Sequence, residues 1–197
     1  MDVSEKQILF VNSCIRPESR TRILVQRVLD KLEGEIREVC TGAPEFLPLT
    51  SATLDARSLC VEKQDFSGPE FRYAKDFADA DIIVIAAPYW DLSFPSSLKA
   101  YLEHIMVNGI TFCYDEQGIP RLLCKAEQMI YVSTSGGPVI GSQNEGYAYV
   151  KLLAETFFGI PDIRLFQAQN LDIEGADVKG ILEEAMRQID RELVQHR

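Results

Sequence analysis

The sequence predicts an α/β fold: one domain over residues 1–197 built on a doubly wound parallel sheet of five strands, order 2-1-3-4-5, with helices on both faces and an inserted hairpin. Three observations predict it. The run Ile82-Ile83-Val84-Ile85-Ala86-Ala87 is too short to span a membrane and too continuous for a strand with one wet face, so it reads as a central parallel strand. Strand-like runs alternate with helical stripes along the chain, as βαβ units with right-handed crossovers require. The loops after strands one, three and four are each unusual, and the predicted order brings them to the sheet edge where open α/β folds bind ligands.

Each element follows from a local pattern. QILFVN, residues 7–12, is a short β-rich run, and the polar loop NSCIRPESRTR leads into an apolar stripe at Ile23, Val25, Val28, Leu29 and Leu32 that stops at Gly34. EIREVC gives a weaker second strand. Over 41–68 the pattern fails at Pro44 and Pro48, with a short helix compatible with 53–63; such a long surface excursion is a candidate lid or subunit contact. Helices are expected over 69–80 and 96–107, on either side of the central strand. Ile110, Phe112 and Tyr114 alternate with polar residues, Asp115 to Gly118 supply a turn, and 122–124 are expected to pair back. Strand four is expected over 128–133, a helix over 143–158, strand five over 163–167, and a final helix over 175–195 striped by Val178, Ile181, Leu182, Ala185, Ile189 and Leu193.

Composition excludes several classes. A chain of 197 residues with 46% hydrophobic residues can bury a full core unaided. Its net charge of -10 and scattered basic residues argue against a nucleic-acid surface. The polar MDVSEK start and the absence of a long apolar stretch give neither an export signal nor a membrane span, so a cytoplasmic protein is expected. Five cysteines (Cys14, Cys40, Cys60, Cys113, Cys124) without CxxC spacing fit free thiols, and with only His104 and His196 no metal site is expected. His104 lies off its helix's apolar stripe and reads as a solvated residue.

The three loops carry the chemistry. The first offers Ser13, Ser19, Arg20 and Thr21 beside a helix N-terminus, where hydroxyls, N–H groups and the helix dipole suit a phosphate; taken alone, Ser19 or Thr21 reads first as a plain N-cap. The second follows the proline-ended strand: Pro88, then Tyr89, Trp90, Asp91 and Leu92, a platform for a ring system unless Trp90 simply packs in the core or at a subunit contact. The third, Thr134-Ser135-Gly136-Gly137, exposes backbone N–H groups to a ring edge, though a glycine pair after a strand is otherwise just a turn.

Read together, NSCIRPESRT, APYWDLSFPSSLKAYLE, GITFCYDEQG, STSGGP and ETFFGI, in that order, resemble the FMN-dependent NAD(P)H azoreductase and quinone reductase family of the flavodoxin-like superfamily. The resemblance covers most of the chain and is poorest between 41 and 69. It implies that Ser13 and Ser19-Arg20-Thr21 hold the FMN phosphate, that Tyr89, Trp90, Asp91 and Leu92 flank the isoalloxazine, and that Thr134, Ser135, Gly136 and Gly137 lie near its pyrimidine edge. It also implies a homodimer in which the hairpin at Tyr114 reaches the partner's flavin. The chain departs from the family in three places. Asp91 stands where Asn is common, and a carboxylate there lowers the flavin potential by repulsion unless it turns away or is hydrogen-bonded. Ser135 stands where Arg is common. The stretch 138–148 has Ser142 and Tyr147 but no His.

The expected activity is ping-pong transfer of two electrons from NADH or NADPH, through FMN, to a planar acceptor such as a quinone or azo compound. The cofactor carries the chemistry, so no catalytic side chain is assigned. Two rivals remain: a flavodoxin-like electron carrier, against which the hairpin and the long excursion argue, and an FMN reductase that releases its flavin.

Overall fold

The computed structural model describes residues 5–44, 46–140 and 144–193. Its sheet holds β1 (Gln7–Asn12), β2 (Glu35–Cys40), β3 (Ile82–Ala86), β6 (Gln128–Thr134) and β7 (Asp162–Ala168), all parallel, in the order β2-β1-β3-β6-β7. Among the parallel strands that is 2-1-3-4-5, the flavodoxin-like order the sequence predicts. A separate antiparallel hairpin pairs β4 (Phe112–Tyr114) with β5 (Pro120–Leu122).

Strand β3 explains the unbroken apolar run. Alternate side chains point to opposite faces. Ile82, Val84 and Ala86 pack with Leu24, Val25 and Val28 of α1 (Arg20–Leu29) and with Ala185 and Ile189 of α6 (Val178–Glu192). Ile83, Ile85 and Ala87 pack with α3 (Arg72–Asp79), α4 (Ser96–Ile105) and α5 (Glu145–Leu153) through residues such as Phe77, Leu98, Tyr101 and Val150. Each fully buried Ile or Val contributes about 1.5–3 kcal/mol over leaving it in water.

Element ends depart from expectation where side chains or glycines decide them. Helix α1 stops at Leu29, and the chain reaches β2 through Gly34. The stretch from Pro69 opens as a short 3-10 turn, Pro69–Phe71, before α3. Helix α6 begins at Val178 because Asp177 caps it, accepting from Gly180 N–H. Helix α5 finishes in a π-helical turn, Ala154–Phe158, closed by Gly159 at φ +73. A Cβ at Gly159 would also stand 2.7 Å from Leu122 Cβ, so that glycine serves both the left-handed turn and the docking of the hairpin. The return strand is 120–122, not 122–124: Asp115 Oδ1 accepts from the N–H groups of Gln117 and Ile119, which closes the turn and pairs Phe112 with Leu122. Gln143, Ser142, Gln195 and His196 lie outside the described residues.

The excursion is fastened to the core by Phe46, by Arg57, which donates to the Glu103 and His104 carbonyls, and by Cys60, Val61 and Phe66, which pack against it. Phe46 is buried and packs edge-on against Tyr101, beside Tyr73 and His104. His104, expected in solvent, is half-buried, with Nε2 at 2.8 Å from Leu47 O. The helix that follows, α2 (Ser51–Glu62), starts with a capping box between Thr50 and Thr53 and buries no residue. All five cysteines are free thiols, and burial pushes Cys124 up to about 12. No helix among the described residues is long and apolar enough to cross a membrane.

Two outcomes follow. Phe46→Ala removes a buried aromatic and is expected to cost about 3–5 kcal/mol, a drop of some ten degrees in a thermal melt followed by circular dichroism; a melt within two degrees of the parent, roughly half a kcal/mol, rules out Phe46 as an anchor. Asp190 of α6 is held down to about 2 by hydrogen bonds from Arg27 and Lys31, which tie α6 to α1. A depressed carboxyl stabilises the fold above its unfolded value of about 3.9 and loses that contribution as pH falls through about 2. Asp190→Asn therefore lowers stability at neutral pH more than at pH 2 in urea titrations, and an equal loss at both pH values contradicts the ion pair.

Candidate functional site

The loops after the strands are fixed because the backbone ladder continues past the strand ends. Ser13 N–H donates to Ala86 O, Ala87 N–H to Val132 O, Tyr89 N–H to Thr134 O and Ser135 N–H to Ala168 O, at 2.9–3.0 Å. Between them lies a cleft of about 470 Å³, within the range of ligand pockets, lined by Arg16, Glu18, Ser19, Arg20, Thr21, Pro88, Tyr89, Trp90, Thr134, Ser135, Gly136, Leu171 and Asp172. The sequence-predicted residues Ser19, Arg20, Thr21, Pro88, Tyr89, Trp90, Thr134, Ser135 and Gly136 meet there. Ser13, Asp91, Leu92 and Gly137 are not among the lining residues.

The first loop is organised by Asn12, whose Oδ1 accepts from Cys14 N–H while its amide donates to Glu38. Ser19 occupies the N-cap of α1 but makes no side-chain cap bond. The first backbone N–H groups of α1, at Arg20 and Thr21, therefore have no partner among the described residues and face the cleft end with the positive pole of the helix dipole. The hydroxyls behave differently from expectation. Thr21 Oγ1 lies 2.6 Å from Thr134 Oγ1, joining the first loop to the third. Ser13 is fully buried; its hydroxyl meets Thr41 Oγ1 at 2.8 Å, and Thr41 meets Ser97 Oγ at 3.0 Å, so a hydroxyl chain links the first loop, the start of the excursion and the N-terminus of α4. Burial pushes the Cys14 thiol up, opposed by the Ser19 hydroxyl and by Arg22.

Arg20 does not present a free charge. Its guanidinium donates to Leu171 O at 2.9 Å and to Asp172 Oδ1 at 2.6 Å, bracing the first loop against the loop after β7. Gly136 lies under the same carboxylate: a Cβ there would sit 2.1 Å from Asp172 Oδ2, and Asp172 N–H donates to Gly136 O. Ser135 Oγ donates to Gly137 O, which turns the third loop in on itself.

In the second loop, Trp90 and Ser93 exchange two backbone hydrogen bonds of 3.2 and 2.8 Å across Asp91 and Leu92, whose φ values are +49 and +65. This is the backbone of a two-residue hairpin turn, built without glycine; for Leu92 the left-handed conformation is strained. Both turn side chains are exposed. Trp90 stays at the cleft wall, 36% exposed, with the Arg16 guanidinium 5.6 Å from its ring centroid. Tyr89 Oη is buried without a hydrogen-bond partner among the described residues.

Known proteins are similar to this chain along most of its length. The family model described as a flavodoxin-like fold matches residues 6–193. An FMN-dependent NADH:quinone oxidoreductase of Clostridium beijerinckii is 42% identical over 91% of this chain and 94% of its own, and one of Clostridium acetobutylicum is 34% identical over 89% and 92%. The chain belongs to the flavodoxin-like family of FMN-dependent NADH:quinone oxidoreductases. Among solved structures, an azoreductase from Bacillus anthracis str. Sterne superposes with TM-score 0.81 at 17% identity over 95% of this chain and 98% of that one. An FMN-dependent NADH-azoreductase from Bacillus anthracis str. Ames Ancestor in complex with FMN superposes with TM-score 0.79 at 20% identity over 95% and 97%. Both share the fold.

Within this flavodoxin-like site, sequence reasoning overlooked Arg16, Glu18, Leu171 and Asp172. The loop after the fifth strand ends on the same sheet edge as the other three, so the predicted strand order already held the signal for Leu171 and Asp172. The hydroxyl chain yields a test. Thr41→Val leaves the buried Ser13 hydroxyl without its partner and is expected to lower stability by about 1–3 kcal/mol, while Thr41→Ser restores most of it in the same melt. Equal stability of the Val variant and the parent removes the chain's structural role.

Proposed function

We propose that this chain binds FMN in the cleft and oxidises NADH or NADPH in favour of a planar acceptor, a quinone or an azo compound, with donor and acceptor using one stacking face in turn, the ping-pong order. For a quinone the balance is NADH, a proton and quinone giving NAD+ and hydroquinone. The observation that carries the reading is the uncapped N-terminus of α1, open to the cleft beside the wall made by Tyr89 and Trp90. FMN, when bound, supplies the two-electron hydride chemistry.

The residues present fit that group. The N–H groups of Arg20 and Thr21, with the Ser19 hydroxyl, receive the phosphate at the positive end of α1. Tyr89 and Trp90, held by the Asp91-Leu92 turn, flank the ring, and the orphaned Tyr89 hydroxyl supplies a buried polar contact. On the third loop the Thr134 and Ser135 backbone is engaged in the ladder, which leaves Gly136 N–H as the group offered to the polar ring edge, with Gly137 holding the turn behind it. Arg20 and Ser13 act as struts: the first ties the cleft to Asp172, the second ties it to Thr41. Asp91 points its charge into solvent, where screening blunts its effect on the cofactor. The same reading has the chain working in the cytoplasm as a homodimer with Tyr114 near the partner's cofactor; the exposure of Tyr114, Ile119 and Leu123 on the hairpin supports it.

Steady-state oxidation of NADH and NADPH by FMN-loaded protein, with menadione, an azo dye and free FMN as acceptors, tests the reading. Turnover with menadione or the dye and no net gain from free FMN is expected. Turnover only with free FMN identifies a flavin reductase, and bound FMN without any pyridine-nucleotide oxidation identifies a carrier; either result rejects the proposal.

A further inference from the structure

An ion pair stands at the α1 end of the cleft. Asp172 lies on the loop after β7, and that loop is tied to the third loop by three backbone bonds: Asn170, Leu171 and Asp172 N–H donate to Gly137, Ser135 and Gly136 O at 3.3, 3.1 and 2.8 Å. A side chain on Gly136 would collide with the Asp172 carboxylate, so the glycine lets that carboxylate lie against the third loop while it meets Arg20. A single guanidinium nitrogen, Nη1, donates both to Asp172 Oδ1 and to Leu171 O. The Arg20 side chain is thereby committed to the loop after β7, while its backbone N–H stays open at the start of α1.

The charges lining the cleft cancel. They are Arg16 and Arg20 against Glu18 and Asp172, and Arg16 lies over the indole of Trp90. A phosphate monoester carries a charge of about -1.5 to -2 at neutral pH, so it meets no net positive charge from these side chains. Its neutralisation falls to the open N–H groups, the Ser19 hydroxyl and the helix dipole. A guanidinium on phosphate is among the strongest charge-assisted contacts. The residue placed to make it, the first of α1, has its guanidinium turned to a carboxylate instead.

Resting on the FMN reading above, we propose that Asp172 is a positioning residue that weakens the phosphate site: by holding Arg20 it keeps the guanidinium off the cofactor phosphate, and so sets how tightly FMN is retained. Removing the carboxylate frees a cation one turn or less from the phosphate and takes away a like charge. FMN therefore binds more tightly without Asp172, the opposite of what loss of a purely structural brace would do. Arg20 and Asp172 are 38% and 67% exposed, so solvent screening limits the gain to about fivefold.

Fluorescence titrations with FMN and with riboflavin, which has the same ring and no phosphate, test this in the parent, Asp172→Asn, Asp172→Ala and the double variant Arg20→Gln/Asp172→Asn. FMN is expected to bind about fivefold tighter to both single variants, with riboflavin unchanged within about twofold. The double variant has the parent's charge balance and no guanidinium to release, so it returns to about the parent's affinity. The gain should also shrink in about 1 M NaCl, where charges act over only about 3 Å. FMN affinity that is unchanged or weaker in Asp172→Asn overturns the proposal. So does an equal tightening of riboflavin, which places the effect on the ring, or a double variant as tight as Asp172→Asn, which takes Arg20 out of it. Asp172→Asn keeps the shape of the side chain, so it decides the matter where a thermal melt shows Asp172→Ala unfolded. Absence of FMN binding in every variant rejects the functional reading and this inference with it, whereas equal FMN binding by parent and Asp172→Asn rejects the inference alone.

Discussion

The functional edge depends on one constraint: β3 is dry on both faces. With Ile82, Val84 and Ala86 against one helical layer and Ile83, Ile85 and Ala87 against the other, no backbone group of β3 can turn to water for a partner. The strand must be flanked on both edges, and β1 and β6 do so in continuous parallel register, from Ile8 opposite Ile82 to Ala86 opposite Val132. Because the ladder runs on through Ser13, Ala87, Tyr89 and Ser135, the loops that form the cleft start from positions the core has already set. A site on loops thereby inherits the rigidity of a buried sheet.

The elements legible in the sequence are those whose local period agrees with their tertiary burial. EIREVC begins and ends as a strand where the pattern does, and β3 shows its two-sided burial in composition alone. The misses have nonlocal or side-chain causes. The hairpin's register was set by the Asp115 carboxylate, which no alternation of apolar residues reveals. Half-buried His104 has its partners in the excursion, Phe46 and Leu47, 57 residues back from the ring nitrogen's contact.

The site divides in the same way. Strand order was enough to bring three loops together, so most of the cleft lining could be named from sequence. What each side chain does there could not. Arg20 finds its carboxylate 152 residues away, and Ser13 turns to Thr41, at the head of the segment where periodicity failed. Residue type identified groups able to meet a phosphate; only the fold decided which were already engaged. The uncapped Ser19 matters for the same reason, since a serine before a helix ordinarily signals a satisfied terminus.

The half-exposed seating of α2 gives the molecule two tiers of cooperativity. Helix α2 has its own capping box and fully buries no residue, resting on the core through half-buried Cys60 and Val61 and through Arg57, which donates to the Glu103 and His104 carbonyls, while Phe46 just upstream is seated among Tyr73, Tyr101 and His104. Opening of α2 exposes little apolar surface that was not already wet, so it requires far less free energy than disturbing the sheet. The exposed face of α2 is therefore where sequence can drift without the loops at the far edge of β3 registering the change, while Arg57, Cys60, Val61 and Phe66 hold the inner face in place.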